Sequence, residues 1–216
     1  MNSVGDGFAW PFRDPAWPAK MLVQGLIAII PIVGWIAMTG WLMLAFENAR
    51  SGRNELPPAG FHLERGIAIF GIFLIYGIVL SIPAIIVWTA GAIASGHSQS
   101  PFNAGSPLIS LAYLLSTAAS LFLRFLSPSL IVNTYHGGFA GGMDVARVWR
   151  LAVANVGNSV IAGLVILVAS FIGGIGFACC IGFIFTIPYE NVITAAAAAW
   201  FDKEQGALAP APPPAA

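Results

Sequence analysis

Residues Gly66–Ser95 read GIAIFGIFLIYGIVLSIPAIIVWTAGAIAS, thirty residues without one Asp, Glu, Lys or Arg. A bilayer core about 30 Å thick needs roughly 20 mostly apolar helical residues to cross it, and this run exceeds that length. The charge-free stretch continues through Leu123, and two more, Met21–Phe46 and Leu151–Tyr189, repeat the pattern. Together they hold more than half of the 216 residues. A soluble domain carries about 25% charged residues. This chain carries 8%, with 58% hydrophobic residues and a mean hydropathy of +0.84. The composition specifies an all-α, polytopic transmembrane helix bundle, one membrane domain in place of one or two soluble ones.

Five apolar segments are expected, at about 21–46, 66–95, 107–132, 158–176 and 177–201, inside a helical membrane domain covering 21–205. Pro31 and Gly34 interrupt the first. As a single helix it would be about 39 Å long, so it is either one kinked span or a re-entrant pair of half-helices. Pro83 kinks the second segment, and Arg124 and Pro128 lie near the end of the third. Gly173, Gly174, Gly176 and Gly182 place a hairpin inside the last apolar stretch, Asn158–Phe201. Residues 1–20 are expected to form an interfacial segment with no cleavable signal peptide. There FAWPFRDPAWPAK (Phe8–Lys20) has three prolines against a regular helix, and Trp10, Phe12 and Trp17 beside Arg13 and Lys20 suit the headgroup level. At the other end, 206–216 reads as a disordered Ala/Pro tail.

Arginine placement orients the bundle. The connection Glu47–Arg65 carries Arg50, Arg53 and Arg65, and Asn133–Gly157 carries Arg147 and Arg150, whereas Gly96–Ser106 has no Lys or Arg. The first two are expected in the cytoplasm, together with the C-terminus bearing Asp202, Lys203 and Glu204, in a cell (inner, cytoplasmic) membrane. The N-terminus is outside if the first run spans and inside if it is re-entrant. Within the second connection, Asp144 is a plausible N-cap for DVARVWRLAVANVG. Helical spacing gathers Val145, Val148, Trp149, Ala152 and Val156 on one face and Arg147, Arg150 and Asn158 on the other. That is the pattern of an interfacial helix, or of a docking surface for a soluble partner.

The chain resembles the uncharacterised DUF4013 family of bacterial and archaeal membrane proteins. The residues that carry the likeness are Pro11, Phe12, Asp14, Pro15, Trp17 and Lys20, then Gly40-Trp41, where the family has Gly-Tyr, then Leu56-Pro57, Phe61 and Gly66. Tyr76 and Pro83 follow, then Cys179-Cys180-Ile181-Gly182, Thr186, Pro188 and Tyr189. An aromatic-acidic pair after the Leu-Pro is replaced by Pro58-Ala59-Gly60. The resemblance runs from about Phe8 to Gln205 and implies a helical membrane domain with no assigned activity.

Few polar groups could carry chemistry. Glu190 sits between apolar Phe183–Ile187 and Val192–Ala199, two residues after Pro188 and beside Asn191. A charge at the bilayer centre costs about 2.5–3.5 kcal/mol on insertion scales and faces a bundle interior or water. Glu190 is therefore either a structural partner of Arg124, a carboxylate lying at the interface, or an ion-, proton- or substrate-handling group with Arg124 and Asn191. Arg124 could equally snorkel to the headgroups. The glycines after Tyr135-His136 (Gly137, Gly138, Gly141, Gly142) lack the Lys-Ser/Thr ending of a phosphate loop and read as a flexible linker. His62, His97 and His136 lie on different connections, and the adjacent Cys179 and Cys180 read as small apolar fillers. No metal site, cofactor or catalytic set is expected, and with nine acids against nine bases no nucleic-acid partner. Small-xxx-small faces at Gly91/Ser95, Ala92/Gly96 and Ala195–Ala199 suit internal packing or oligomerisation. The expected function is a non-enzymatic structural or accessory subunit, a homo-oligomer or part of a larger membrane complex. The alternative is a small channel or transporter for an ion, lipid or amphiphile using Glu190 and Arg124.

Overall fold

The computed structural model describes residues 3–96, 105–178 and 182–208. The described residues form eight α-helices and one 3-10 turn. They run α1 (Asp6–Ala9), the turn Trp10–Arg13, α2 (Trp17–Ala28), α3 (Val33–Arg50), α4 (Leu63–Ser95), α5 (Ser106–Met143), α6 (Val145–Ala154), α7 (Val156–Ala178) and α8 (Phe183–Leu208). The all-α class read from composition is what the chain adopts. The Cys179-Cys180 pair, His97 and residues 209–216 lie outside the described residues. Two compact units result, one from the chain up to Ile72 with Phe125 onward, the other Phe73–Arg124. Three helices, α4, α5 and α7, are long and apolar enough to cross a membrane.

In the first unit the chain resolves the choice left open for 21–46. It forms two helices, not one. Pro31 carries no N–H, and Ile32 takes φ 63° and ψ −60° inside a tight γ-turn closed by the Val33 N–H donating to the Pro31 carbonyl at 2.7 Å. That geometry is strained for a β-branched residue, and it turns the backbone sharply. Five contacts then bring both arms back to one loop. The Trp10 indole N–H donates to the Arg53 carbonyl at 2.8 Å, and Lys20 Nζ donates to the Leu56 carbonyl at 2.6 Å. The Gln24 Oε1 accepts from the Gly60 N–H at 3.0 Å, the Trp41 indole donates to Pro57 at 3.3 Å, and Asn48 Nδ2 donates to Glu55 at 2.9 Å. The start of α2 and the end of α3 therefore share one end of the unit, the geometry of a helical hairpin. At twelve residues, α2 is about 18 Å long, too short to cross alone. Its tip leaves Leu26, Ile29, Ile30, Ile32, Val33 and Trp35 exposed.

The axis of this unit is α8. Val192, Ile193, Thr194 and Ala195–Ala199 are all buried, and α8 packs on α2, α3 and α7. Alanine suits that position because small side chains let several helices approach one backbone. Proline adds a second device. Pro188 has no N–H for the Ile184 carbonyl, and Gly25 of α2 sits on that carbonyl so closely that any Cβ would collide with it.

Two expectations change here. Trp10, read as a headgroup aromatic, is buried at 2% exposure, because the Arg53 carbonyl satisfies its indole and lets the ring enter the core. Phe12, at 51%, does face outward. The Gly137–Gly142 stretch, read as a flexible linker, is helical on both sides of a kink at Gly138 (φ 60°, ψ −152°), where two helical pieces of α5 join. There Gly142 packs against Ile72 and Thr134, a contact its lack of side chain allows. The expected N-cap holds, with Asp144 Oδ1 accepting from the Arg147 N–H at 2.9 Å.

The second unit contains the remaining parts of α4 and α5. Its surface is apolar on many sides, with Leu74, Ile78, Ile82, Ile86, Ile93 and Leu114 all exposed. Exposed hydroxyls in it turn inward: Thr89 donates to Ile85 at 2.8 Å, Thr117 to Tyr113 at 2.9 Å and Ser120 to Ser116 at 2.9 Å. Such i−4 bonds satisfy each hydroxyl without water, as a hydrocarbon surrounding requires.

Candidate functional site

Glu190 occupies a notch between α7 and α8 in the first unit. Its Oε1 lies 2.7 Å from Ser170 Oγ, which in turn lies 2.9 Å from the Ile166 carbonyl. One hydroxyl proton can serve only one acceptor at a time. The Glu190 carboxylate and the Ile166 carbonyl therefore compete for it. Room for the carboxylate comes from Gly173, where any Cβ would collide with Glu190 Oε2. Thr186 Oγ1 donates to the Gly173 carbonyl at 3.1 Å and holds the two helices together there. Asn191, next on α8, donates its amide back to Ile187 at 3.0 Å. Arg124 is on α5, the last residue of the second unit.

Residues distant in sequence meet at the loop end of the first unit. Asp202 Oδ2 pairs with Arg50 Nε at 2.5 Å, and Asp202 Oδ1 lies 3.8 Å from His136 Nε2. The Arg50 guanidinium lies 5.4 Å from the centre of the Tyr135 ring, a cation–π distance. Beside this cluster, α5 and α6 enclose an open groove of about 410 Å³ lined by Val132, Asn133, His136, Arg147, Arg150 and Leu151, with Ala154 at its edge. Three helices are tied together by Asp202, which the sequence showed only as a tail charge.

The N-terminal segment is fixed by a third polar group. Asp14, buried at 3% exposure, accepts from Lys20 Nζ at 2.7 Å and from the Leu56 N–H at 2.8 Å through Oδ2, and from the Ala16 N–H at 2.8 Å through Oδ1. Burial pushes its carboxyl up, but the Lys20 and backbone hydrogen bonds together outweigh that and hold it below the ordinary 3.8. Lys20 stood in the sequence as a headgroup-level residue; here it joins Asp14 in clasping the hairpin's loop.

Among sequences of known families, the one described as a protein of unknown function, DUF4013, matches residues 23–184. The chain belongs to the DUF4013 family. No curated protein and no solved structure matches it. The matched span begins inside α2 and ends in the first turn of α8. It takes in most of the α2–α3 hairpin, the whole second unit, the α5–α6 groove, Ser170 and Gly173. Asp14, Glu190 and Asp202 lie outside it. The Pro11–Lys20 pattern and the Thr186–Tyr189 residues that suggested the resemblance also fall beyond its limits.

Proposed function

We propose that this DUF4013 protein is a non-catalytic, multi-pass protein of the cell membrane that serves as a structural or accessory subunit, as a homo-oligomer or within a larger assembly. On this reading the arginine-bearing connections and the C-terminus face the cytoplasm, and the re-entrant hairpin puts the N-terminus there too. The observation that carries the reading is the hairpin. Its arms are anchored to the core by Asp14, Gln24 and Trp41, while its tip leaves large apolar side chains uncovered. A rigidly held apolar tip suits lateral contact within a bilayer.

Native mass spectrometry of protein extracted gently from its own host membrane tests the reading. A defined homo-oligomer or a stoichiometric second protein is the expected result. A lone monomer carrying a small solute would overturn it. The second reading, a small transporter, is favoured by one observation, the Glu190 carboxylate held against Ser170 in a notch that Gly173 leaves open between α7 and α8. Glu190→Gln with undiminished assembly and altered proton or solute flux would establish that reading instead.

A further inference from the structure

We propose that the groove between α5 and α6 binds the headgroup of an anionic phospholipid, a site that rests on the chain residing in a bilayer. Five observations carry it. The groove presents Arg147 and Arg150 from α6 and His136 and Asn133 from α5, three cationic or potentially cationic groups and an amide around one cavity. Among the described residues neither arginine pairs with a carboxylate, whereas Lys20, Arg50 and Arg65 each do. Two nearby acids are already engaged, Asp144 by the Arg147 backbone N–H and Asp202 by Arg50 with His136 3.8 Å away. Arg150 Nε donates to the Ala146 carbonyl at 3.3 Å, which leaves its terminal nitrogens to point elsewhere.

The remaining observation selects a lipid over a free anion. Round the same helix from the groove, Val145, Trp149 and Val153 form an exposed apolar strip, while Val148 and Ala152 fill the buried side. At 3.6 residues per turn, Arg150 falls between Val153 and the Arg147 side of the groove. A phosphodiester held by the guanidinium forks would therefore have its acyl chains leave over an apolar surface. The helices flanking α6, α5 and α7, are both long and apolar enough to cross a membrane and adjoin it through Met143–Asp144 and Asn155. A volume of about 410 Å³ falls within the roughly 300–1,000 Å³ of small-molecule sites, enough for a headgroup and too small for a folded partner.

The full-length protein, purified in a zwitterionic detergent, would be titrated with phosphatidylglycerol, phosphatidylcholine or inorganic phosphate and read by native mass spectrometry. Each arginine near an anionic headgroup contributes about fivefold in affinity. The double variant Arg147→Gln/Arg150→Gln should then lose roughly 25-fold of phosphatidylglycerol binding, with phosphatidylcholine unchanged. Equal phosphatidylglycerol binding by that variant would overturn the proposal. So would the same loss in Arg13→Gln/Arg53→Gln, which touches no groove residue, or competition by equimolar inorganic phosphate. A second measurement needs no variant: a photoreactive phosphatidylglycerol should label residues 132–154 of the wild type, and labelling confined elsewhere would refute the site. Carbonate extraction of host membranes checks the bilayer reading separately, and release of the protein would overturn that reading itself.

Discussion

Replacing Asp14 by Ala should release the N-terminal segment from the hairpin. The carboxylate is the acceptor for the buried Leu56 N–H at 2.8 Å, for the Ala16 N–H at 2.8 Å and for Lys20 at 2.7 Å. A buried N–H left without an acceptor costs about 1–3 kcal/mol. The Lys20 side chain is 24% exposed, so its pair adds only about 0–1 kcal/mol, as for surface pairs. Local opening should therefore become easier by about 2–3 kcal/mol, a roughly 30- to 150-fold faster amide exchange. Hydrogen–deuterium exchange of the peptides covering 14–20 and 53–60 reads this directly. Asp14→Asn keeps one acceptor oxygen and should show a smaller change, about fivefold. Unchanged exchange at 53–60 in Asp14→Ala would refute the clasp. The pH dependence follows from the lowered carboxyl. Its stabilisation is complete above the ordinary 3.8 and is lost as pH falls through the lower folded-state value. Pepsin cleavage near Trp10 should thus rise steeply only in that acid window, and Asp14→Asn should abolish the dependence.

Three further outcomes are expected. Ile32→Gly should stabilise the hairpin by about 1–2 kcal/mol, because glycine tolerates φ 63° and isoleucine does not; thermal inactivation in detergent measures it, and a lower midpoint would contradict the strain. Gly25→Ala, whose Cβ meets the Ile184 carbonyl, should cost about 3 kcal/mol, whereas Gly77→Ala, with open space around it, should cost nothing; equal melting of the two would sink the close-packing account. Ser170→Ala and Glu190→Gln should each lower stability, with a coupling of about 0.5–3 kcal/mol between them in a double-mutant cycle, and strictly additive effects would mean that the 2.7 Å contact contributes nothing.

The helical class and the apolar runs inside α4, α5 and α7 were legible because they depend on local composition alone: long charge-free runs with few interruptions. Proline marked the break at Pro31 for the same reason, as it changes the backbone where it stands, whereas Gly173, Gly174 and Gly176, read as part of a hairpin, lie inside α7. Asp144 announced a helix start by the one bond that its own side chain makes. Glu190 was legible as an anomaly, a charge in an apolar run, but its contact with Ser170 was not. Ser170 lies twenty residues earlier on another helix, and no period connects them.

Tertiary structure decided everything that depends on which helix faces which. A run of 26 apolar residues from Met21 to Phe46 is compatible with a span or a hairpin; Gln24, Trp41 and Lys20 reaching one loop make it a hairpin. The same Ala195–Ala199 run could lie against lipid or form an axis, and only the packing of α2, α3 and α7 around it makes it the core. Asp202 gained Arg50 and His136 in the same way. Composition fixes the solvent in which each segment is stable, whereas side-chain partners separated by twenty to two hundred residues are chosen by helix packing, to which no local pattern gives access.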